Sequence, residues 1–293
     1  MKIRIGTRKS KLALAQTKLV QEKIQEIMPD AQVEIIPILT QGDKDHSTAL
    51  YNMPSTGVFV KDIEKALLNN SIDIAVHSLK DVSSVIDERL MILDPILFED
   101  KRDCLISKDH KTLDILRKNA ILATSSLRRI ACIHHVRPDI QFVNIRGNIE
   151  TRIQKFEDSN IDGIILAAAG LKRLGLDPLI DEYLDPKIFI PACGQGTIAL
   201  EIRKEDHSRF KCLSFPSNAS IEAKVEREFL KLCQAGCHYP VGCYAKFEKE
   251  HLIVYACLGK TSDDCKFIHA TFKREEHAIA AKELHRKIKE EAI

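Results

Sequence analysis

Two short stretches hold side chains placed to do chemistry. In Asp73-Ile-Ala-Val-His77-Ser78-Leu79-Lys80-Asp81, a β-branched apolar run from Ile72 to Val76 gives way at once to His77, Ser78, Lys80 and Asp81. Such a run reads as a strand buried in a parallel sheet, and ligands gather at the carboxyl ends of these strands. A lysine beside a carboxylate there can hold an anion and move a proton; the plain alternative is a solvated turn with a surface ion pair. His77 could shuttle protons, but a histidine at a strand end is more often a hydrogen-bonded structural group. The second stretch is Ala235-Gly-Cys237-His-Tyr-Pro240-Val-Gly242. Small residues, proline and glycine make a tight exposed loop in which a thiol can be attacked or alkylated, although composition alone favours a buried, inert cysteine. No base stands beside Cys237 in sequence, as a thiol hydrolase would need.

Arginines recur where strands give way to helices. Arg8 lies in the first such turn, Arg128 and Arg129 follow Ser125-Ser126, and Arg146 and Arg152 flank Gly147-Asn148. Helix N-termini favour anions, and the guanidinium fork matches carboxylate or phosphate. Five arginines at equivalent turns predict an anion-binding cleft. Arg128 and Arg129 are adjacent on a helix, so they point about 100° apart and are expected to serve different anionic groups. No GxxxxGK[ST] occurs and no GxGxxG follows a strand, which disfavours a nucleotide and leaves carboxylates as good a fit as phosphates. Asp81 is the best acid–base candidate, with Asp43 behind it; a carboxylate near arginines should have a lowered pKa, suited to stabilising a cation.

The elements that must position these groups follow a β-α-β rhythm. Lys2–Ile5 is a strand, Ser10 an N-cap, and Leu12 to Ile27 an amphipathic helix closed by Pro29; Gln32–Leu39 is the next strand. Residues 40–56 form a long polar loop, and a helix runs on from there to Asn70. A strand is expected over Leu90–Leu97. The charged run Glu99-Asp-Lys-Arg-Asp103 reads as a crossing into a second domain, where the rhythm restarts at Ala120. Thr197–Arg203 reads as a strand returning to the first. After a helix from Asn218 the pattern changes to three alternating strands and a last helix. The expected fold class is α/β: two β-α-β lobes and a smaller α+β C-terminal domain. The boundaries are 1-98 with 197-215, then 99-196, then 216-293.

A chain of 293 residues fits two or three domains, and a net charge of +2 gives no reason to expect nucleic acid. The nine cysteines form no framework; Cys233-x3-Cys237-x5-Cys243 is the one cluster and contains no CxxC pair, so no metal is expected. The chain opens as a strand rather than a signal peptide and has no apolar run of about 18 residues, so a cytoplasmic protein with reduced thiols and no membrane attachment is expected.

The chain from Arg4 to about Ala245 resembles the porphobilinogen deaminase, or hydroxymethylbilane synthase, family. The resemblance rests on Thr7-Arg8-Lys9-Ser10-x-Leu12-Ala13-x-x-Gln16, Phe59-Val-Lys-x-x-Glu64 and Ala75-Val-His-Ser-Leu-Lys-Asp81. It continues through Thr124-Ser-Ser-Leu-Arg-Arg129, Arg146-Gly-Asn-x-x-Thr-Arg152, Ala169-Gly-Leu-Lys-Arg-Leu-Gly175, Pro191-x-x-Gly-Gln-Gly196 and Gly236-Cys237. It implies a monomeric transferase of tetrapyrrole and haem biosynthesis, whose first two lobes are like type II periplasmic-binding proteins. It implies a dipyrromethane cofactor thioether-linked to Cys237, on which four porphobilinogens are condensed head to tail with loss of ammonia; water then releases hydroxymethylbilane. Asp81 would help ammonia leave, stabilise the resulting azafulvenium-type cation and assist proton removal. Cofactor and substrate contacts are implied at Arg8, Ser10, Asp43, Phe59, Ser78, Lys80, Thr124, Ser126, Arg128, Arg129, Arg146, Gly147, Arg152, Ala169 and Gln195.

The sequence departs from the family pattern at three places. Pro54-Ser-Thr-Gly57 stands where Gly-Gly-Lys-Gly is usual, so Thr56 replaces a lysine; Gln41 replaces an arginine before Gly42-Asp43; Ala235 replaces a glycine. Two lost positive charges are expected to weaken binding of late intermediates. Two other readings compete. A two-lobed solute-binding protein accounts for the arginines but not for Asp81 or Cys237, and a thiol hydrolase lacks a partner for Cys237.

Overall fold

The computed structural model describes residues 1–40, 60–234 and 239–290. The chain divides into two compact units, Met1–Glu99 with Thr197–Lys224 and Asp100–Gly196 with Val225–Ile293.

The first unit opens with strand β1 (Lys2–Arg8), helix α1 (Lys11–Ile27) and strand β2 (Gln32–Ile38), with β1 and β2 parallel from Lys2 opposite Gln32. Ser10 caps α1 by accepting from the Ala13 N–H at 3.3 Å, as its residue type and position predict. Helix α2 (Lys61–Leu68) leads to β3 (Ile74–Ser78), which joins the other edge of β1; β4 (Leu90–Ile92) and β5 (Leu97–Phe98) follow. Side chains alternate between the two faces of the sheet along β3, and both faces are buried. Ile74 and Val76 pack with Val20 and Ile24 of α1, while Ala75 packs with Ile63 and Leu67 of α2. Both faces of the sheet are therefore covered, and the strand reads as a continuous apolar run.

Strand β3 starts and ends two residues later than the apolar run suggests, so His77 and Ser78 lie inside it. The expected strand over Leu90–Leu97 is two short pieces. Pro95 stands between them and offers no N–H to a ladder.

The second unit begins with β6 (Asp103–Ser107), β7 (Ile121–Ala123), helix α3 (Leu127–Val136), β8 (Gln141–Val143), helix α4 (Ile149–Glu157), β9 (Gly163–Ala167), helix α5 (Ala168–Arg173) and β10 (Glu182–Tyr183). Its sheet order is β10-β6-β9-β7-β8, and β6 runs antiparallel to both β9 and β10. Strand β6 is an addition to the sequence reading, in which its first residue was absorbed into the charged crossing. Strand β11 (Thr197–Arg203) returns to the first unit and pairs antiparallel with β3, β4 and β5. The short helix α6 (His207–Phe210) and the long helix α7 (Asn218–Cys233) follow. A third sheet, β12 (Val241–Glu248), β13 (His251–Leu258) and β14 (Lys266–Lys273), is a simple antiparallel meander. Helix α8 (His277–Glu290) buries Ala280, Ala281, Leu284 and Ile288. The fold class is mixed α/β, two sheets and a smaller three-stranded one.

Candidate active site

In the first unit the candidate residues sit at the carboxyl edge of the sheet. Alternation along β3 sends neighbours opposite ways. His77 turns inward, and its Nε2 meets Oε2 of buried Glu201 on β11 at 3.1 Å. Ser78 points the other way and exchanges hydrogen bonds with the Gln16 amide, at 2.9 and 3.3 Å, which fixes the strand end to α1. A single 3-10 turn, Leu79–Asp81, follows. Leu79 and Val82 are buried, the Val82 N–H donates to the Leu79 carbonyl at 3.1 Å, and between these anchors Lys80 is half-buried and Asp81 exposed. The turn thus presents a carboxylate on a backbone that packing holds still. Arg8 ends β1 at this same edge, half-buried, one residue after fully buried Thr7.

Asp73, the first residue of this stretch, has a different task. Its carboxylate accepts from the Arg4 backbone N–H at 2.8 Å, from Arg4 Nε and Nη2 at 3.0 Å each, and from Arg209 Nη1 at 3.2 Å. Burial pushes its pKa up, but the Arg4 hydrogen bonds outweigh that and hold it below the usual range. It pins the entry to β3.

Asp103, at the head of β6, does the corresponding work in the second unit. Arg128 Nη1 donates to its Oδ2 at 2.7 Å; Arg129 donates to its Oδ1 from Nε at 3.1 Å and Nη2 at 2.8 Å; Gln195 Nε2 adds a bond at 3.0 Å. Both arginines also reach main-chain carbonyls, of Ile190 at 2.7 Å and Ile165 at 2.9 Å. Burial would raise the Asp103 pKa, but the charges of Arg128 and Arg129 reverse this and hold it well below the carboxylate range. The expectation that the two arginines diverge toward separate anions is corrected here. Both are buried, and a buried charge requires a partner, so their long side chains converge on one internal carboxylate.

The helix starts in this unit are built for donors. Ser126 caps α3, accepting from the Arg129 N–H at 3.4 Å, and Thr124 Oγ1 accepts from the Ser126 N–H at 3.2 Å. Asn148 caps α4 through the Thr151 N–H at 2.8 Å. Gly147 precedes it at φ +119°, where a Cβ would stand 2.7 Å from Thr151 Cγ2, so glycine is required. Arg152 Nε donates to the Gly147 carbonyl at 2.8 Å, and Arg152 and Arg146 are half-buried. Ala169 and Gln195 lie in the packed interior, at 2% and 1% exposure. Gln195 spends its amide on the Lys101 carbonyl, at 2.8 Å, as well as on Asp103.

Sequence reasoning missed Asp103, Asp73, Gln16 and a further buried carboxylate, Glu226. Glu226 pairs with Lys101 at 2.9 Å and accepts from the N–H groups of Gly194 at 2.8 Å and Ala245 at 3.1 Å. The available signal was position: Asp73 stands immediately before a short apolar strand and Asp103 is the first residue of one. Asp43, Phe59 and Cys237 lie outside the described residues, as do Gln41, Thr56 and Ala235. Among the described residues no group of three or more His, Cys, Asp or Glu side chains could hold a metal ion, and no helix is long and apolar enough to cross a membrane.

Two family models match nearly the whole chain: the porphobilinogen deaminase dipyrromethane cofactor binding domain over residues 3–211, and the porphobilinogen deaminase C-terminal domain over residues 220–292. Among curated proteins, a porphobilinogen deaminase of Rickettsia bellii is 43% identical over 248 residues, 84% of this chain and 83% of the relative. One from Bacillus velezensis is 45% identical over 246 residues, 83% of this chain and 79% of that protein. Among solved structures, the VFT2 domain of Bordetella pertussis BvgS covers 78% of this chain and 91% of its own, at 14% identity and a TM-score of 0.44, a likeness too loose to add to the topology above. Two family models placed end to end and relatives above 40% identity over most of both chains agree: the chain belongs to the porphobilinogen deaminase family.

Proposed function

We propose that this chain carries out the hydroxymethylbilane synthase reaction of its family with Asp81 as the acid–base and cation-stabilising residue and Cys237 as the point of cofactor attachment. The enzyme is a transferase of tetrapyrrole synthesis, and its cofactor is dipyrromethane. It condenses four porphobilinogens head to tail, releasing ammonia at each addition, and water frees the linear product.

The donor set fits the cofactor. A dipyrromethane carries acetate and propionate groups, and the second unit offers capped helix starts at Ser126 and Asn148 beside Arg146 and Arg152. Arg128 uses only Nη1 in its bonds to Asp103 and Ile190, which leaves the rest of its fork for a carboxylate. When bound, the group supplies the pyrrole α-carbon from which the chain is extended. We assign Arg128, Arg129, Arg146, Arg152, Ser126, Thr124 and the Gly147 backbone to carboxylate binding in the second unit, and Arg8, Ser10, Ser78 and Lys80 in the first. Arg8 and Lys80 share the sheet edge with Asp81, which supports giving them the carboxylates of the incoming monopyrrole. Asp43 and Phe59 are assigned to the same binding on the family pattern, Phe59 by packing against the primer. Gln195 acts on Arg129 through the shared Asp103 carboxylate, and Ala169, buried in α5, is kept as a binding residue on the family pattern.

Asp81 hydrogen-bonds the pyrrole N–H and the departing amine, placing negative charge where the azafulvenium cation develops. It then takes the proton that restores aromaticity after the C–C bond has formed. Positioned proton transfer of this kind is worth about 10²–10⁴-fold, with electrostatic stabilisation in addition. The observation that carries this reading is the turn itself: an exposed carboxylate between two buried side chains, at the end of a strand whose neighbouring residues are locked. The replacement of basic residues by Gln41 and Thr56 weakens retention of the late, most anionic intermediates.

We further assign the chain to three domains, 1-98 with 197-215, 99-196, and 216-293, the last supported by a sheet of its own. We read it as a cytoplasmic monomer acting on porphobilinogen without nucleic acid or membrane. Intact-protein mass tests the core of the proposal. The purified chain should exceed its sequence mass by one dipyrromethane unit and colour with Ehrlich's reagent, and Cys237→Ser should lose both; an unmodified, fully active enzyme would overturn it. Size-exclusion chromatography at assay concentration tests the monomer.

A further inference from the structure

One buried ion pair in the second unit stands outside the arginine frame yet is joined to it. Glu226 lies on α7 and is 1% exposed. Its Oε1 accepts from Lys101 Nζ at 2.9 Å and from the Ala245 N–H at 3.1 Å, and its Oε2 accepts from the Gly194 N–H at 2.8 Å. Lys101 Nζ also donates to the Ala245 carbonyl at 3.2 Å. Carboxylate and ammonium together grip both backbone groups of one residue of β12.

That grip fixes a register. Strand β12 is an edge strand, paired with β13 on one side, and the outward N–H and C=O groups of an edge strand need other partners. The Cys243 N–H donates to the Pro191 carbonyl at 3.1 Å, and Ala245, two residues on and on the same edge, uses Glu226 and Lys101. A slip of one residue would turn these groups to the wrong side. Because one carboxylate reads the N–H groups of both Ala245 and Gly194, it sets the offset between β12 and the Gly-rich return. The next residue of that return, Gln195, donates to the Lys101 carbonyl at 2.8 Å and to Asp103 at 3.0 Å, and Asp103 holds Arg128 and Arg129. In the other direction α7 ends at Cys233, about two turns beyond Glu226 and four residues before Cys237, and β12 begins at Val241, four residues after it. Both arms of the segment bearing Cys237 are thus tied, through Glu226, to the frame of the two arginines.

We propose that Glu226, with Lys101, is a positioning residue for the dipyrromethane: the clip sets the segment bearing Cys237 against Arg128 and Arg129, so that a cofactor tethered at the thiol meets both arginines with its carboxylates. This rests on the assignment of Cys237 to attachment and of the arginines to carboxylate binding. Fixing a register is the best attested use of a buried ionic group. Glu226 does not touch the cofactor in this scheme; it acts through the two backbone segments that it joins. Its effect therefore falls on how the primer is held, not on how porphobilinogen enters.

The test uses the full chain as purified, with cofactor content read by intact mass and kinetics taken well below the unfolding midpoint of each variant. Glu226→Gln keeps the length of the arm but sets an NH₂ group against one of its donors. Glu226→Asp keeps the charge beside Lys101, and so protects the fold, but is one carbon too short to reach Gly194 and Ala245 together. In both, kcat per cofactor-loaded molecule should fall about 10- to 100-fold, the scale on which small misplacements of reacting groups act, while KM for porphobilinogen stays within about twofold. Cofactor occupancy should fall as well. A parental kcat per loaded molecule in E226D, with only a lower unfolding midpoint, would make Glu226 a folding residue and overturn the proposal. A raised KM at unchanged kcat would overturn it too, by moving the effect to substrate binding. The attachment reading is checked separately: a parent chain without the mass increment, or a Cys237→Ser chain that keeps it, defeats that reading and the clip with it, whereas a normal parent with fully active E226D defeats the clip alone.

Discussion

Asp103 holds Arg129 by two hydrogen bonds to a single carboxylate oxygen, at 3.1 and 2.8 Å, while its other oxygen takes Arg128 at 2.7 Å. One buried acid thus answers two buried cations. The remaining positive charge meets the Ile165 and Ile190 carbonyls. This keeps both arginines rigid: the internal partner fixes the forks without neutralising both charges.

Asp103→Asn should therefore be among the more damaging single changes. The amide keeps the shape but leaves two buried guanidinium groups without a counter-charge, and breaking a buried pair by removing one partner costs about 3–5 kcal/mol. Urea unfolding should show a large fall in midpoint, and the folded fraction should have a raised KM for porphobilinogen. An unchanged midpoint would mean that the arginines are stabilised from elsewhere.

Acid should weaken the fold through the same groups. Asp103 and Asp73 are held below the usual carboxylate range, and arginine hydrogen bonds, against the opposing effect of burial, hold Asp100 down to about 2. A carboxylate with a depressed folded pKa contributes stability that is fully present above its unfolded value, about 3.9, and is lost as pH falls through the folded value. Stability should thus decline from about pH 4 toward pH 2. Urea midpoints taken across that window should fall steadily, and Asp100→Asn should flatten the lower part of the curve.

The third sheet meets the loop before β11 through a glycine. A Cβ on Gly242 would lie 2.8 Å from the Pro191 carbonyl oxygen, 2.9 Å from Arg128 Cδ and 2.9 Å from Cys257 Sγ. The carbonyl is backbone and already accepts from the Cys243 N–H at 3.1 Å, so it cannot simply step aside. Gly242→Ala should cost about 1–3 kcal/mol by overpacking, measured as a drop in thermal midpoint; an alanine variant as stable as the parent would show that this contact relaxes freely.

How far these features could be read from the chain follows from their physics. Strand and helix periodicity is local, so Thr197–Arg203 was legible to the residue and Ser10 was legible as a cap. The convergence of Arg128 and Arg129 was not, because Asp103 is distant in sequence and adjacent helical positions start out about 100° apart. The strand β6 was hidden for a related reason: its first residue is a charged one, whose burial makes sense only once its partners are known. His77 was weighed as a structural group, but its partner Glu201 stands 124 residues away on an antiparallel neighbour that no local pattern identifies. Asp81 needed no partner to be noticed, since its signal is a polar turn after an apolar strand.

The pairing of His77 with Glu201 separates structure from chemistry within that stretch. The two side chains are 3% and 0% exposed, and the 3.1 Å contact is the hydrogen bond the structure gives each of them. His77→Phe keeps most of the volume but strands a buried carboxylate, which should cost about 3–5 kcal/mol. If His77 is structural, kcat per folded molecule stays near the parent value while the unfolding midpoint falls. A proton-shuttling role would instead lower kcat and alter the pH–rate profile at unchanged stability.

Asp81→Asn should give the opposite pattern. Asp81 is exposed, and the turn that carries it is fixed by the burial of Leu79 and Val82 rather than by its own side chain. The unfolding midpoint should therefore not move, and the variant should still carry its cofactor, seen as the same mass increment and the same Ehrlich colour. What the amide cannot do is accept a proton or place a full negative charge beside the developing cation, so turnover should fall by about 10²–10⁴-fold. Asp81→Glu retains the charge but lengthens the arm by one carbon, and should recover part of that loss while remaining well below the parent. Stability, cofactor content and kcat measured on the same preparation distinguish the outcomes: a loss of all three would make Asp81 a folding residue, and near-normal turnover in the asparagine variant would remove it from the mechanism.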